Sequence, residues 1–365
     1  MKIFFATSSS KIDLILQNLY ASNQLDKVAS FNDIVLTLNS CGFASLFGLP
    51  KKNMFNSKCD FQIFTNVYDS ELIQKKWANE ENISYGNDWK IDILKKQIEI
   101  YEPDVIYTNN PGWISKNIDK LPHANLMVAW RAAPIGNKED YSCFNLGLSY
   151  APVYRDLMKR HGIHNLEHMD FSFNPEIKKY IDYKNLEKKN DICFVGRYGK
   201  MFKKRNMLLN KIHRQFKDTN TIAYHLLTEK RFGGVVPHLP WRMLNSLKKP
   251  IFLNELLETF ATSKIIINTH SDISAQYKGN MRVFESLGTG SFMLSDKGIY
   301  PKFLRDGKDF VSYDDTDDLL NKIEYYLEND DEREKIAKHG YETICKHYST
   351  EIGSKKLKSI FEDHL

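Results

Sequence analysis

The sequence lacks the marks of several large classes of protein. Its five cysteines (Cys41, Cys59, Cys143, Cys193 and Cys345) are odd in number and scattered, and no CxxC pair occurs. Neither a zinc site of the usual spacing nor a disulfide framework is expected, and a reducing compartment is the natural reading. No stretch approaches the roughly 18 consecutive apolar residues that a membrane-crossing helix needs. The opening MKIFFATSSSK has a short apolar run that polar residues end at once. It lacks the longer apolar core of a secretory signal and reads as a first buried strand, so a cytoplasmic location is expected. There is no low-complexity tract and no internal repeat. The Ala6–Ser10 loop has no GxGxxG, which argues against a dinucleotide oxidoreductase. Charge of one sign is also scarce: 51 basic against 46 acidic residues give +5. That is far from a nucleic-acid binder's footprint. It is compatible with an anionic small molecule, or with peripheral contact at the inner face of an anionic membrane.

What is present is the composition of a globular protein, 42% hydrophobic and 27% charged, over 365 residues. That length fits two domains of roughly 150–190 residues. Short apolar runs alternate with amphipathic segments, the pattern of a parallel sheet covered by helices. Strands are expected at Lys2–Ala6, Cys59–Thr65, Val105–Thr108, Leu126–Trp130 and Gly147–Ala151. A helix with Ile91, Leu94 and Ile98 on one face is broken by Glu102-Pro103-Asp104. A linker is expected near residues 165–185. Alternation then resumes with Asp191–Gly196, Ala223–Leu227, Lys264–Asn268, Phe292–Ser295 and Phe310–Tyr313, with helices at Thr316–Asn329 and Asp331–His347. The domains are therefore 1–170 and 171–345, with a helical segment at 346–365 packing back on the first. The fold class is α/β, two Rossmann-like domains facing an interdomain cleft, where ligands bind beyond the carboxyl ends of strands.

One segment concentrates chemistry. The strand Lys264–Asn268 ends at Thr269-His270-Ser271, a polar loop leads to Lys278-Gly279-Asn280, and MRVFESL from Met281 reads as a helix. Amides at its start would face an anion. Lys278, Arg282 and Glu285 are spaced to share one helix face. Two cations suit a diphosphate, and a carboxylate one turn on can accept hydrogen bonds from both hydroxyls of a ribose. On spacing alone the same three residues could form an ordinary solvated face. The run Asp314-Asp315-Thr316-Asp317-Asp318 resembles a metal-binding cluster, but acids where a helix begins are favoured by capping and by the dipole. No metal site is assigned. Gly233-Gly234 and His238–Trp241 read as a loop, near either a base or an acceptor or merely structural.

From Ile265 to Tyr348 the text IIINTH…KGNMRVFESLGTGSFMLSDKG…LRDGKDF…EREKIAKHGYETICKHYS resembles the C-terminal domain of GT-B glycosyltransferases. It is most similar to the CgeB-like branch, a relative of the large retaining family 4. Aligning that family's LLEAxxxG with VFESLGTG puts its ribose-binding glutamate on Glu285. The first glutamate of the family's Glu-x7-Glu pair falls on Tyr277, a departure that leaves a retaining mechanism open. His270 is a substitute contact to sugar or phosphate. Phe194-Val195-Gly196-Arg197 followed by Lys203-Lys204-Arg205 resembles the family's GR…K pattern, with Arg197 and either Lys203 or Lys204 on the donor diphosphate. A basic helix start facing solvent is the alternative for Lys203 and Arg205.

The resemblance implies a metal-independent, hexosyltransferase-like enzyme. It would move a sugar from a nucleotide-diphosphate donor to a glycan, a lipid-linked acceptor or another hydroxyl, in surface polysaccharide biosynthesis. It implies no cofactor and no nucleic-acid partner. The donor residues would be Arg197, Lys203, Lys204, His270, Lys278, Asn280, Arg282 and Glu285. If the enzyme inverts, a base must come from the N-terminal half, where the candidates at strand ends are His123, Asp140 and the loop at Arg131. A nucleotide-sugar epimerase of the same fold and a non-catalytic glycan-binding protein are the alternatives.

Overall fold

Strands buried on both faces need apolar side chains at every position, and those of this chain have them. In the strand Asn190–Tyr198, Ile192 and Phe194 enter one core cluster while Cys193 and Val195 enter another. Ile265 and Ile267 of a neighbouring strand join the first cluster, and Ile266 the second. Alternation with period two thus feeds two helix layers from one sheet.

The computed structural model describes residues 1–9, 11–40, 42–49, 61–179, 186–199, 202–228 and 241–365. The expected loops at Gly233-Gly234 and His238–Trp241 fall wholly or largely outside them, as does Cys59. Two units divide the chain: Met1–Ser172 with Thr350–Leu365, and Phe173–Ser349. Against the expected boundaries after residues 170 and 345, the chain changes unit after Ser172 and after Ser349.

In the first unit the strands are β1 (Lys2–Thr7), β2 (Gln62–Val67), β3 (Val105–Thr108), β4 (Leu126–Trp130), β5 (Leu146–Ser149) and β6 (Asn165–His168). They form a parallel sheet in the order β2-β1-β3-β4-β5-β6. The chain therefore reverses its direction of winding between β1 and β3, where a crevice opens beyond the carboxyl ends. The helices are α1 (Ile12–Ala21), α2 (Phe31–Ser40), α3 (Glu71–Glu80), α4 (Trp89–Tyr101), α5 (Pro111–Lys116) and α6 (Pro152–Arg160). As expected, α4 stops at Glu102, which turns left-handed (φ 47°) ahead of Pro103, a residue unable to continue the ladder. Strand β6 lies within the stretch expected to be linker. Only Leu166 is apolar in it, and its exposed-intermediate alternation is that of an edge strand.

In the second unit β7 (Asn190–Tyr198), β8 (Ile222–Thr228), β9 (Leu247–Lys248), β10 (Ser263–Asn268), β11 (Phe292–Asp296) and β12 (Val311–Tyr313) form a parallel sheet ordered β12-β11-β10-β7-β8-β9. Its switch point lies between β7 and β10. The helices are α7 (Lys203–Phe216), α8 (Leu253–Ala261), α9 (Met281–Gly288), α10 (Thr316–Glu328) and α11 (Asp330–His347). The last helix, α12 (Thr350–Glu362), packs in the first unit, where Ser354 Oγ donates to the carbonyl of Gly48. The Asp314–Asp318 run does what its position suggests: Asp315 accepts from the amides of Asp317 and Asp318 and caps α10. Among the described residues no helix is long and apolar enough to cross a membrane.

Candidate functional site

The switch point of the second unit is built on Arg205. Its Nε donates to Thr269 Oγ1 at 2.7 Å and its Nη2 to the Thr269 carbonyl at 2.9 Å, while Nη1 reaches the Arg197 carbonyl at 3.1 Å. One guanidinium thus ties the end of β10 to the end of β7. Phe202 and Phe194 lie 4.5 and 5.7 Å from it. Burial lowers its pKa to about 10, against the pull of Asp296. The reading of Arg205 as a solvent-facing helix start is corrected by this geometry.

Around Arg205 the first turn of α7 is unusual. Lys203, Lys204 and Arg205 occupy it, and the N-cap residue Phe202 offers no side-chain acceptor to its amides. Cations are unfavourable at the positive end of a helix dipole, where anions are favoured. Lys203 is exposed, and Lys204 makes a 3.5 Å pair with Asp272 in which both side chains are largely exposed. The Arg197 side chain is exposed at the end of β7 and makes no salt bridge among the described residues.

Asp296, the last residue of β11, organises the neighbouring edge. Its Oδ1 accepts from His270 Nδ1 at 2.7 Å and from the His270 amide at 3.1 Å, and its Oδ2 pairs with Lys278 Nζ at 2.7 Å. Burial pushes this carboxyl up, but the bonds and charges of His270 and Lys278 outweigh it and hold the pKa at about 2. His270 is buried, and burial depresses its own pKa despite the Asp296 carboxylate. Its Nδ1 is the atom that donates to Asp296. Its Nε2 is buried and has no hydrogen-bond partner, a state that polar groups in protein interiors avoid.

Lys278 is not on the helix face predicted for it. Asn280, extended at φ −68° and ψ 163°, caps α9 by accepting from the Val283 amide, so Lys278 falls before the helix. There it joins a backbone bridge and its amine turns to Asp296. Asn280 also exchanges amide hydrogen bonds with Asn268 of β10 (3.2 and 3.3 Å), which pins the helix start to the strand end. Arg282 and Glu285 are indeed on α9, and they bond each other; Arg282 Nε also reaches the Val195 carbonyl on β7 at 3.3 Å. The pair is not a solvated face, since the Glu285 side chain is only 9% exposed. Burial raises the Glu285 pKa, and Arg282 opposes it. Tyr277 is half-buried in a bridge to Ile299.

The candidates of the first unit separate by sheet end. Arg131 follows β4 at its carboxyl end and donates to the Pro134 carbonyl. His123 is exposed and precedes β4, where Leu126 N bonds Asp104 ahead of β3. It is thus at the amino end, opposite the expected location. Asp140 is displaced likewise. It is exposed and bonds Ser142, and Tyr141 beside it donates to His161 at the end of α6, the end that returns to the amino side of the sheet. Sequence reasoning missed Asp296 as well as Arg205. An acid directly after the apolar Phe292–Leu294 strand was the available signal.

Residues 205–356 match a family model described as glycosyl transferase-like. A sequence search of curated proteins finds no match. Among solved structures, the chain is similar to the Anabaena protein HepE in complex with UDP-glucose, at 11% identity and a TM-score of 0.59, with 100% of each chain covered. It is similar to a glycosyltransferase from Rickettsia africae at 11% identity and a TM-score of 0.58, covering 99% of this chain and 98% of that one. It is also similar to sucrose-phosphate synthase from Thermosynechococcus elongatus at 11% identity and a TM-score of 0.54, covering 99% and 98%. At such identities the likeness is one of fold. The fold is GT-B, and the segment carrying the ionic edge is glycosyl transferase-like. Both agree with the resemblance read from the sequence.

Proposed function

We propose that this protein is a glycosyltransferase that moves a hexose from a nucleotide-diphosphate donor to a glycan or lipid-linked hydroxyl acceptor. The observation that carries the reading is the first turn of α7. Three cations stand there against the helix dipole with no capping side chain, at the switch point of the sheet. An anionic ligand offsets that cost, and a diphosphate has the charge to do so. Arg197 with Lys203 or Lys204 would hold the diphosphate and stabilise the charge that builds on it as the glycosidic bond breaks. Arg282 and Glu285 would hold the ribose side of the donor. His270 Nε2, oriented by Asp296 through Nδ1, would hydrogen-bond a hydroxyl of the sugar.

The reaction as proposed uses no metal and no organic cofactor. Asp315 and Asp318 have other partners in capping α10 and in the pair with Lys322. HepE of Anabaena, solved with UDP-glucose, supports a nucleotide sugar as donor. Surface polysaccharide assembly, in the cytoplasm or at the inner face of the membrane, is what the family resemblance suggests for the setting.

The test is thermal shift and transfer assay of the whole chain with UDP-, GDP-, ADP- and dTDP-hexoses. At least one should raise Tm, and Arg197→Ala with Lys203→Ala should abolish that rise while leaving the ligand-free Tm nearly unchanged. No shift with any of the four would sink the reading. Conversion of the donor to an isomer without transfer would establish the epimerase instead.

A further inference from the structure

The switch point of the first unit carries a second cluster, of different chemistry. It lies beyond the carboxyl ends of β1, β2 and β3. Asp69, two residues past β2, accepts from Ser8 Oγ at 2.6 Å and from the Ser9 amide at 3.3 Å. The Ser8 amide donates to Asn109 Oδ1 at 3.0 Å, across the crevice between β1 and β3. Asn110 donates to the Tyr68 hydroxyl at 2.7 Å, and the Tyr68 ring stacks on Trp113 with centroids 4.5 Å apart. Lys90, in the first turn of α4, puts its amine 5.9 Å from the Tyr68 ring and 5.4 Å from the Trp113 ring.

Sides of 4.5, 5.4 and 5.9 Å make an acute triangle of the two ring centroids and the amine. The ammonium therefore lies beside the stacked pair and not over the second face of Trp113. Tyr68 is fully buried and backs the indole, while Trp113 is half-buried. Lys90 makes no salt bridge among the described residues; its neighbours are aromatic faces, Trp89 at 5.9 Å among them. A half-buried indole, a carboxylate with acceptor capacity to spare and a cation that makes no salt bridge among the described residues are complementary to a sugar ring bearing a negative charge. Pyranose C–H faces pack on indole, carboxylates take sugar hydroxyls, and a cation among aromatic rings takes the anion.

We propose that this rim binds an acidic pyranoside, its ring on Trp113, its hydroxyls on Asp69 and its carboxylate or phosphate substituent on Lys90. That the bound sugar is the acceptor rests on the glycosyltransferase reading; the binding itself does not.

Saturation-transfer NMR on the whole chain tests it with three probes: methyl β-glucuronide, glucose 6-phosphate and the neutral methyl β-glucoside. At least one acidic probe should bind about fivefold or more tighter than the neutral one, the size expected of one partly exposed ion pair. Which acidic probe binds identifies the anion. Lys90→Met should erase that preference, and Trp113→Phe, which keeps the stack on Tyr68, should weaken every probe. Equal binding of neutral and acidic probes, no binding at all, or binding indifferent to Lys90→Met overturns the proposal. The sugar-nucleotide thermal shift is recorded on the same samples. If it persists while the probes fail, this proposal alone falls; if both are absent, the donor reading falls too.

Discussion

Both sheets are parallel and six-stranded, and each has a switch point beside its first strand, yet their strand orders differ and their carboxyl edges are chemically unlike. In the second unit the edge is ionic and largely buried: Asp296 holds His270 and Lys278, Arg282 pairs with Glu285, and Arg205 bonds Thr269 and the Arg197 carbonyl. In the first unit the edge beyond β1, β2 and β3 is made mainly of hydroxyls, amides and stacked rings, with the Asp69 carboxylate bonded to Ser8 and Ser9 and the Lys90 ammonium beside aromatic rings. One α/β frame thus serves opposite demands. Fixed charges suit a diphosphate, while aromatic faces and neutral hydrogen-bonding groups suit a sugar.

That contrast can be broken by substitution, and the ionic edge should give the larger losses. Arg205→Met removes three hydrogen bonds that tie β7 to β10 and leaves the Thr269 carbonyl without its guanidinium. A stability loss of about 3 kcal/mol is expected by urea unfolding; a loss under about 1 kcal/mol would return Arg205 to the solvated helix start first assigned to it. Asp296→Ala strands Lys278 and His270 with no anion, and about 2–4 kcal/mol should go with it. The donor-induced thermal shift should also disappear, since His270 loses its orientation.

A pH titration of stability sharpens the same point. The Asp296 carboxyl is depressed to about 2 in the folded chain from 3.8. Its contribution is therefore complete above pH about 4 and lost as pH falls towards 2, about 2 kcal/mol in all. Asp296→Asn should flatten that part of the acid limb. Glu285 acts with the opposite sign, since burial raises its folded pKa; its contribution favours the folded state at low pH and is withdrawn as pH rises. On the neutral edge, Asp69→Asn exchanges bonds with a hydroxyl and one amide, and about 1 kcal/mol is expected. The smallest effect belongs to Lys204→Ala: its pair with Asp272 is more than two-thirds exposed on both sides, and stability should stay within about 0.5 kcal/mol.

Much of the fold was legible in the chain. Runs such as Ile265–Ile267 and Phe292–Leu294 are apolar at every position, and only a sheet covered on both faces accepts that. Breakers such as Glu102-Pro103 and caps such as Asp315 act locally, so they were readable too. Helices α2 and α3 were not foreseen, and neither was the edge strand β6. In the site, Arg282 and Glu285 were placed on the right helix but read as independent ligand contacts, although they bond each other. Lys278 was placed on that helix face because spacing alone does not show that Asn280 ends the loop as a cap.

By itself, then, the order of residues determined most of the buried strands and several helices, that two α/β units follow one another, and where the basic turn of α7 stands. All of these depend on neighbours within one or two turns of chain. Only tertiary structure decided that Arg205 spans two strand ends and that Asp296 holds His270 and Lys278 together. It likewise set Lys90 beside a stacked tyrosine and tryptophan. Arg205 and Thr269 lie 64 residues apart, Asp296 lies 26 from His270 and 18 from Lys278, and Lys90 lies 22 from Tyr68; a buried charge takes its role from what the folded chain brings close to it, a distance sequence spacing does not encode.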